Sequence, residues 1–222
     1  MTYADALEVR RGVTAVIGGG GKTTLLRRLG AELAEQGTVL LCTTTKIYPF
    51  ADLPCARTAQ ELDALRRSCR LLCAGTPLEG IGKLTVPPLP IAALAERFDY
   101  VLVEADGSAG HPMKAHAPHE PVVPKSAEQT ILVLGASGFG RPINKAAHRP
   151  QQYARLAGAS PDAPVTPDLA ARVLLAEALH TRVFVNQTET EGYLTAAKVL
   201  TQLLGCPAAA GSAQKGDIQC LL

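Results

Sequence analysis

The chain has 222 residues, 47% of them hydrophobic and 19% charged, with 22 basic against 20 acidic side chains. That length is ample for a full core, and a formal charge of +2 without a polybasic block gives no electrostatic argument for nucleic acid as a partner. No apolar run approaches the roughly 20 residues of a membrane span, the start Met1-Thr2-Tyr3-Ala4-Asp5 lacks signal-peptide order, and six cysteines read as reduced thiols of a cytoplasmic protein.

Residues 13–17 form a short β-branched apolar run that stops at four consecutive glycines, Gly18, Gly19, Gly20 and Gly21. After Lys22, leucines at 25, 26, 29 and 33 make one helical face, and Gly37 ends the pattern. Residues 38–43 read as a second buried strand, completing a βαβ unit with a right-handed crossover. The alternation continues with helix over 59–68, strand over 70–74, helix over 91–97 and strand over 100–103. Strand follows over 130–134, and residues 135–140 are expected to loop outward. Helices over 151–157 and 168–179, strand over 182–185, helix over 191–204 and a last strand over 208–210 complete the pattern. Nearly unbroken apolar strands interleaved with amphipathic helices predict an α/β fold, a three-layer α/β/α P-loop NTPase with a mostly parallel, doubly wound sheet. The whole of 1–222 reads as one domain, with an irregular functional loop at about 107–128.

The sharpest chemical signal is Gly18-Gly19-Gly20-Gly21-Lys22-Thr23-Thr24. A phosphate chain needs converging backbone N–H groups, a lysine for the β- and γ-phosphates, a hydroxyl for Mg²⁺, and the positive end of a helix. All of these follow a strand directly, although the strict pattern wants glycine where Val16 stands. Glu104 and Asp106, at the end of the 100–103 strand, are the candidates to hold Mg²⁺ with Thr23 or to act in catalysis with Lys22, and the spacing leaves open which does what. Thr45 and Lys46, after the second strand, lie where ligands bind in such sheets. Lys114, His119, Glu120 and Arg149 share the histidine-rich stretch and are candidates for a second substrate or a partner; His111, His116 and His119 do not follow a standard zinc spacing. Cys69 and Cys73 read as buried apolar filler. Asn186 and Gln187 resemble the element that reads guanine in GTPases, with Gln187 and Glu189 as substitutions, and Ser212 and Ala213 sit where a second base-contacting loop falls.

Thr43-Thr44-Thr45-Lys46-Ile47, the Glu104-Ala105-Asp106-Gly107-Ser108-Ala109-Gly110 segment, Pro112-Met113-Lys114-Ala115, His119-Glu120-Pro121, Ala147-His148-Arg149-Pro150 and Asn186-Gln187 add to the glycine loop. Together they resemble the selenium-dependent hydroxylase accessory proteins of the YqeC type. The resemblance implies a P-loop nucleotide-binding protein, with Mg²⁺ and ATP or GTP, connected with maturation of molybdenum hydroxylases that carry labile selenium. The expected function is an NTPase or phosphotransferase in that pathway. The alternatives are a small-metabolite P-loop kinase, or a nucleotide-switched carrier whose 107–128 loop reorganises when a partner docks.

Overall fold

A computed structural model describes residues 1–221. In chain order the elements are α1 (Tyr3–Ala6), β1 (Gly12–Gly18), α2 (Lys22–Leu33), β2 (Val39–Thr43), β3 (Cys55–Ala56), α3 (Ala59–Arg66) and β4 (Leu71–Ala74). A small hairpin, β5 (Pro77–Leu78) and β6 (Lys83–Leu84), precedes α4 (Ile91–Ala95), β7 (Tyr100–Glu104), β8 (Met113–Lys114) and β9 (Ala127–Gly135). Then come α5 (Ile143–Ala146), β10 (Ala147–His148), α6 (Pro150–Ala157), α7 (Pro167–Glu177), β11 (Arg182–Asn186), α8 (Glu191–Leu204), β12 (Ala208–Ser212) and β13 (Asp217–Cys220).

Nine strands form one sheet in the order β13-β12-β11-β9-β1-β7-β2-β4-β3. All pairings are parallel except β12 with β13. The strand after β1 in sequence is β2, yet β7 lies between them, so the acidic end of β7 comes beside the glycine loop. Strand periodicity sorts the core into two faces. Val16, Leu41 and Leu102 point to α1 and α2, while Ala15, Ile17, Leu40, Val101 and Val103 point to the opposite face, which carries α3–α8. Leu25, Leu26, Leu29 and Leu33 of α2 are all buried, each stabilising the fold by about 1.5–3 kcal/mol. The architecture is a three-layer α/β/α P-loop NTPase fold with a mostly parallel, doubly wound sheet.

Several local expectations are corrected. Residues 135–140 do not loop outward: Ala136–Gly138 make a 3₁₀ turn, Phe139 is buried, and a Cβ on Gly138 would meet Met113 at 2.7 Å. The 107–128 stretch contains β8, paired with β10, and a run from Pro112 to Ala117 that is wholly buried. Only that inner run belongs to the core; the rest of the stretch is largely irregular, with Gly107, Ala109, Gly110, Pro118 and His119 exposed. The helix expected to reach 179 stops at Glu177 because Ala178 adopts φ 49°. Cys69 is half-buried, whereas Cys73 is in the core. No helix among the described residues is long and apolar enough to cross a membrane.

Candidate functional site

Strand β1 passes into α2 through the four glycines. A Cβ would lie 2.2 Å from Val133 O at Gly18, 2.5 Å from His111 O at Gly19, 2.4 Å from Gly135 N at Gly20 and 2.4 Å from Asn186 Nδ2 at Gly21. Gly20 and Gly21 also adopt φ of 75° and 115°, which any L side chain would resist. The loop is pinned from both sides: Gly19 N–H donates to Val133 O (2.9 Å), Gly20 N–H to His111 O (3.0 Å), and Asn186 Nδ2 to Gly20 O (2.8 Å). Strand pairing runs on through Gly18, opposite Val133. Val16 therefore lies inside the strand, buried and opposite Glu104, and no turn there calls for glycine. No side chain caps α2, so the N–H groups of its first turn and its dipole remain for an anion.

Lys22 and Thr23 open α2 and meet the end of β7. Lys22 is buried; its Nζ donates to Gly18 O (2.7 Å) and lies 3.1 Å from Asp106 Oδ1 and 4.0 Å from Glu104 Oε1. Thr23, exposed, donates its hydroxyl to Glu104 Oε2 (2.9 Å). Thr24, also exposed, follows in the same turn and lines the cleft in front of the loop. Burial pushes the Glu104 carboxyl above its ordinary range, against the opposing pull of Lys22 and the Thr23 hydroxyl.

Asp106 is fully buried and works through one oxygen. Its Oδ2 accepts from Gly18 N–H (2.9 Å), receives His116 Nε2 (2.7 Å) and pairs with Lys114 Nζ (3.0 Å). Its Oδ1 makes no hydrogen bond, although the Lys22 ammonium is close. Burial alone would raise this carboxyl, but the His116 hydrogen bond, Lys22, Lys114 and the Gly18 N–H outweigh it and hold it at about 2. His116 is clamped from its other side by Glu177, which takes the backbone N–H (2.6 Å) and pairs with Nδ1 (2.7 Å). Burial works to lower His116, yet bonds to the two carboxylates raise it, favouring the imidazolium. The chain continues outward: Lys114 Nζ donates to Gly107 O (2.6 Å) and pairs with Glu120 Oε2 (3.3 Å), and Arg149 grips both oxygens of Glu120. Desolvation of Glu120 is outweighed by Arg149 and Lys114, which hold it at about 2.

Mg²⁺ fits this donor set. Thr23 Oγ1 and Glu104 Oε2 are hard oxygens 2.9 Å apart, and Asp106 Oδ1 is a buried oxygen without a hydrogen bond. Among the described residues no group of three or more His, Cys, Asp or Glu is placed to hold an ion. Mg²⁺ keeps several waters and takes one or two carboxylates with phosphate oxygens, so two or three protein oxygens are enough.

In front of the loop lies a cleft of about 750 Å³, lined by Gly21, Lys22, Thr23, Glu104 and residues 107–110 on one side and Lys46, Tyr48 and Lys83 on the other. Of the residues expected at a second-substrate side, Lys46 reaches this cleft, whereas Thr45 turns its hydroxyl to Thr43 (3.2 Å). Lys114, Glu120 and Arg149 are spent on one another and on Asp106, and His119 is exposed, outside the network and the cleft. The expected base-side residues form a bracket that does not line the cleft. The Asn186 amide joins Gly20 O to Ala213 N–H (2.9 Å), Gln187 accepts from Ser137 (2.5 Å), and Ser212 donates to Glu189 (2.6 Å). Sequence reasoning gave His116 no role of its own and passed over Glu177, Tyr48 and Lys83, which reach the site only through tertiary packing.

The family described as "YqeC protein" matches residues 14–151. The Escherichia coli (strain K12) protein named "Uncharacterized protein YqeC" is 38% identical over 160 residues, which is 68% of this chain and 62% of that protein. The match thus spans somewhat less than two thirds of the relative's length. Among solved structures, chloroplast FtsY from Physcomitrella patens superposes with a TM-score of 0.51 at 14% identity, over 96% of this chain and 62% of that one. That likeness is one of fold. The family match runs from within β1, through the glycine loop, Glu104 and Asp106, to the segment after His148, and the chain belongs to the YqeC protein family.

Proposed function

We propose that this protein binds a nucleoside triphosphate, ATP or GTP, together with Mg²⁺, and hydrolyses it or transfers its terminal phosphoryl group. The observation that carries this is an uncapped helix start whose first two residues, Lys22 and Thr23, converge with Glu104 behind a loop of four glycines. The α2 N–H groups hold the phosphates, and Lys22 exchanges Asp106 for a phosphate oxygen. Thr23 and Glu104 would hold the metal, which would supply neutralisation of the developing phosphate charge. Release of Lys22 leaves Asp106 Oδ1 free to accept a hydrogen bond from the attacking group. With Lys22 withdrawn, His116, Lys114 and the Gly18 N–H still hold Asp106 in its ionised form, so it orients the nucleophile through a hydrogen bond. A cleft larger than a phosphate chain favours transfer to a second substrate over hydrolysis alone.

The pathway we assign is the one implied by the YqeC resemblance, maturation of molybdenum hydroxylases that carry labile selenium; its support is family membership. Thermal-shift measurements with the four NTPs and Mg²⁺ test the binding step. Stabilisation of about 2.7 kcal/mol is expected with nucleotide at 100 times Kd, falling to about 0.4–1.4 kcal/mol at the same concentration in Lys22→Ala. No shift with any NTP, or an unchanged shift in Lys22→Ala, overturns the reading. Deletion of the gene is expected to lower hydroxylase activity without lowering hydroxylase protein; unchanged activity removes the pathway.

A further inference from the structure

The far wall of the cleft is a small antiparallel unit built from three segments. Ile47 forms a bridge with Leu84 of β6, with Ile47 N–H to Leu84 O at 3.0 Å and the reverse bond at 2.8 Å. β6 in turn pairs with β5. Ile47 and Leu84 are 5% and 2% exposed and belong to the core under α2. Their neighbours Lys46, Tyr48 and Lys83 are less buried, and all three line the cleft together with Ile47. Lys83 Nζ sits 4.7 Å from the centre of the Tyr48 ring, which is 65% exposed.

Neither Lys46 nor Lys83 is paired with a carboxylate among the described residues, whereas Arg27 beside them is neutralised by Asp52. Two unneutralised ammonium groups therefore face the phosphate loop across about 750 Å³, within the range of about 300–1,000 Å³ typical of small-molecule sites. The residues expected on the base side, Asn186, Gln187, Ser212 and Ala213, lie outside this lining. The strip Gly107-Ser108-Ala109-Gly110 forms the near rim, with little side-chain bulk to obstruct a ligand.

We infer that Lys46, Lys83 and Tyr48 form a binding site for a second, small organic anion. The two ammonium groups hold its phosphate or carboxylate, and the exposed Tyr48 ring supports its body. This assignment rests on the nucleotide reading above and names the chemical class of its co-substrate.

The test is calorimetric titration of the full chain, saturated with Mg²⁺ and a non-hydrolysable NTP analogue, with inorganic phosphate in one arm and malonate in the other. Binding is expected in at least one arm, and the arm identifies the end group as phosphate or carboxylate. Affinity for that probe should fall about fivefold in Lys46→Ala and in Lys83→Ala, further in the double variant and measurably in Tyr48→Ala, with analogue affinity unchanged. These positions lie outside the core, so unfolding midpoints should match the wild type. A parallel loss of analogue affinity would show that the lysines serve the nucleotide and overturns the inference. So does probe binding indifferent to the substitutions, or no probe binding while the analogue binds. Failure of the analogue to bind the wild type defeats the nucleotide reading, and this inference with it.

Discussion

The wall behind the phosphate loop and the wall in front of it use the same residue types in opposite condition. Behind, Asp106, His116, Glu177, Lys114, Glu120 and Arg149 form an unbroken chain of partners, most of it buried. In front, Lys46 and Lys83 face the open cleft and pair with no carboxylate among the described residues. Buried charges are tolerated only when mutually satisfied, and breaking one leaves the others stranded. Such a cluster fixes geometry. Exposed, unpaired ammonium groups stay hydrated and mobile until an anion arrives, so they govern what enters without holding the fold together.

The largest blow to that contrast comes from Asp106→Ala, which strands Lys22, Lys114 and His116 in the interior. It should cost about 3–5 kcal/mol, read from urea unfolding. Next is Lys22→Ala, which removes a charge-assisted contact to phosphate and should weaken NTP binding roughly 10- to 100-fold by calorimetry.

The effect of pH follows in size. Their ion pairs and hydrogen bonds hold Asp106 and Glu120 at about 2 in the folded chain, about two units below their unfolded values. Their stabilisation is present above the unfolded value and is lost as pH falls toward 2. Asp106 contributes about 2 kcal/mol of this loss, and the more exposed Glu120 less because solvent screens it. His116 has the opposite sign. Its raised pKa gives stability that is full below about 6.5 and is lost as pH rises through the folded value. Urea midpoints across pH should therefore sag at both ends, and Glu177→Gln should reduce the alkaline sag. The smallest effect belongs to the front wall, where Arg27→Ala removes a pair exposed on both sides and should change stability by only about 0.2–1 kcal/mol.

Much of the frame was legible in the residues because it is written locally. The apolar runs that became β1, β2, β7 and β11, the leucine stripe of α2, and the Gly-Lys-Thr sequence each carry their periodicity or spacing within one segment. Glu104 and Asp106 were legible as a pair, but their division of labour was not, since it depends on Thr23 reaching one and Lys22, Lys114 and His116 the other. Glu177 lies 61 residues from its partner His116, and nothing near it marks the contact. The β5–β6 hairpin was missed because its strands have two residues each, too few to show alternation. β13 was missed because an exposed edge strand carries no apolar run. His119 attracted notice by composition alone, and tertiary packing left it outside the cluster.

The bond from the Gly18 amide to Asp106 has a spectroscopic consequence. A strand amide usually donates to a neutral carbonyl on the next strand, but this one donates to a carboxylate whose companion oxygen faces the Lys22 ammonium. When a ligand draws Lys22 away, charge on that carboxylate is left less compensated, the amide bond strengthens, and the Gly18 proton resonance moves downfield. One backbone signal, resolved easily because glycine nitrogens resonate apart from most others, then reports whether the cleft is filled.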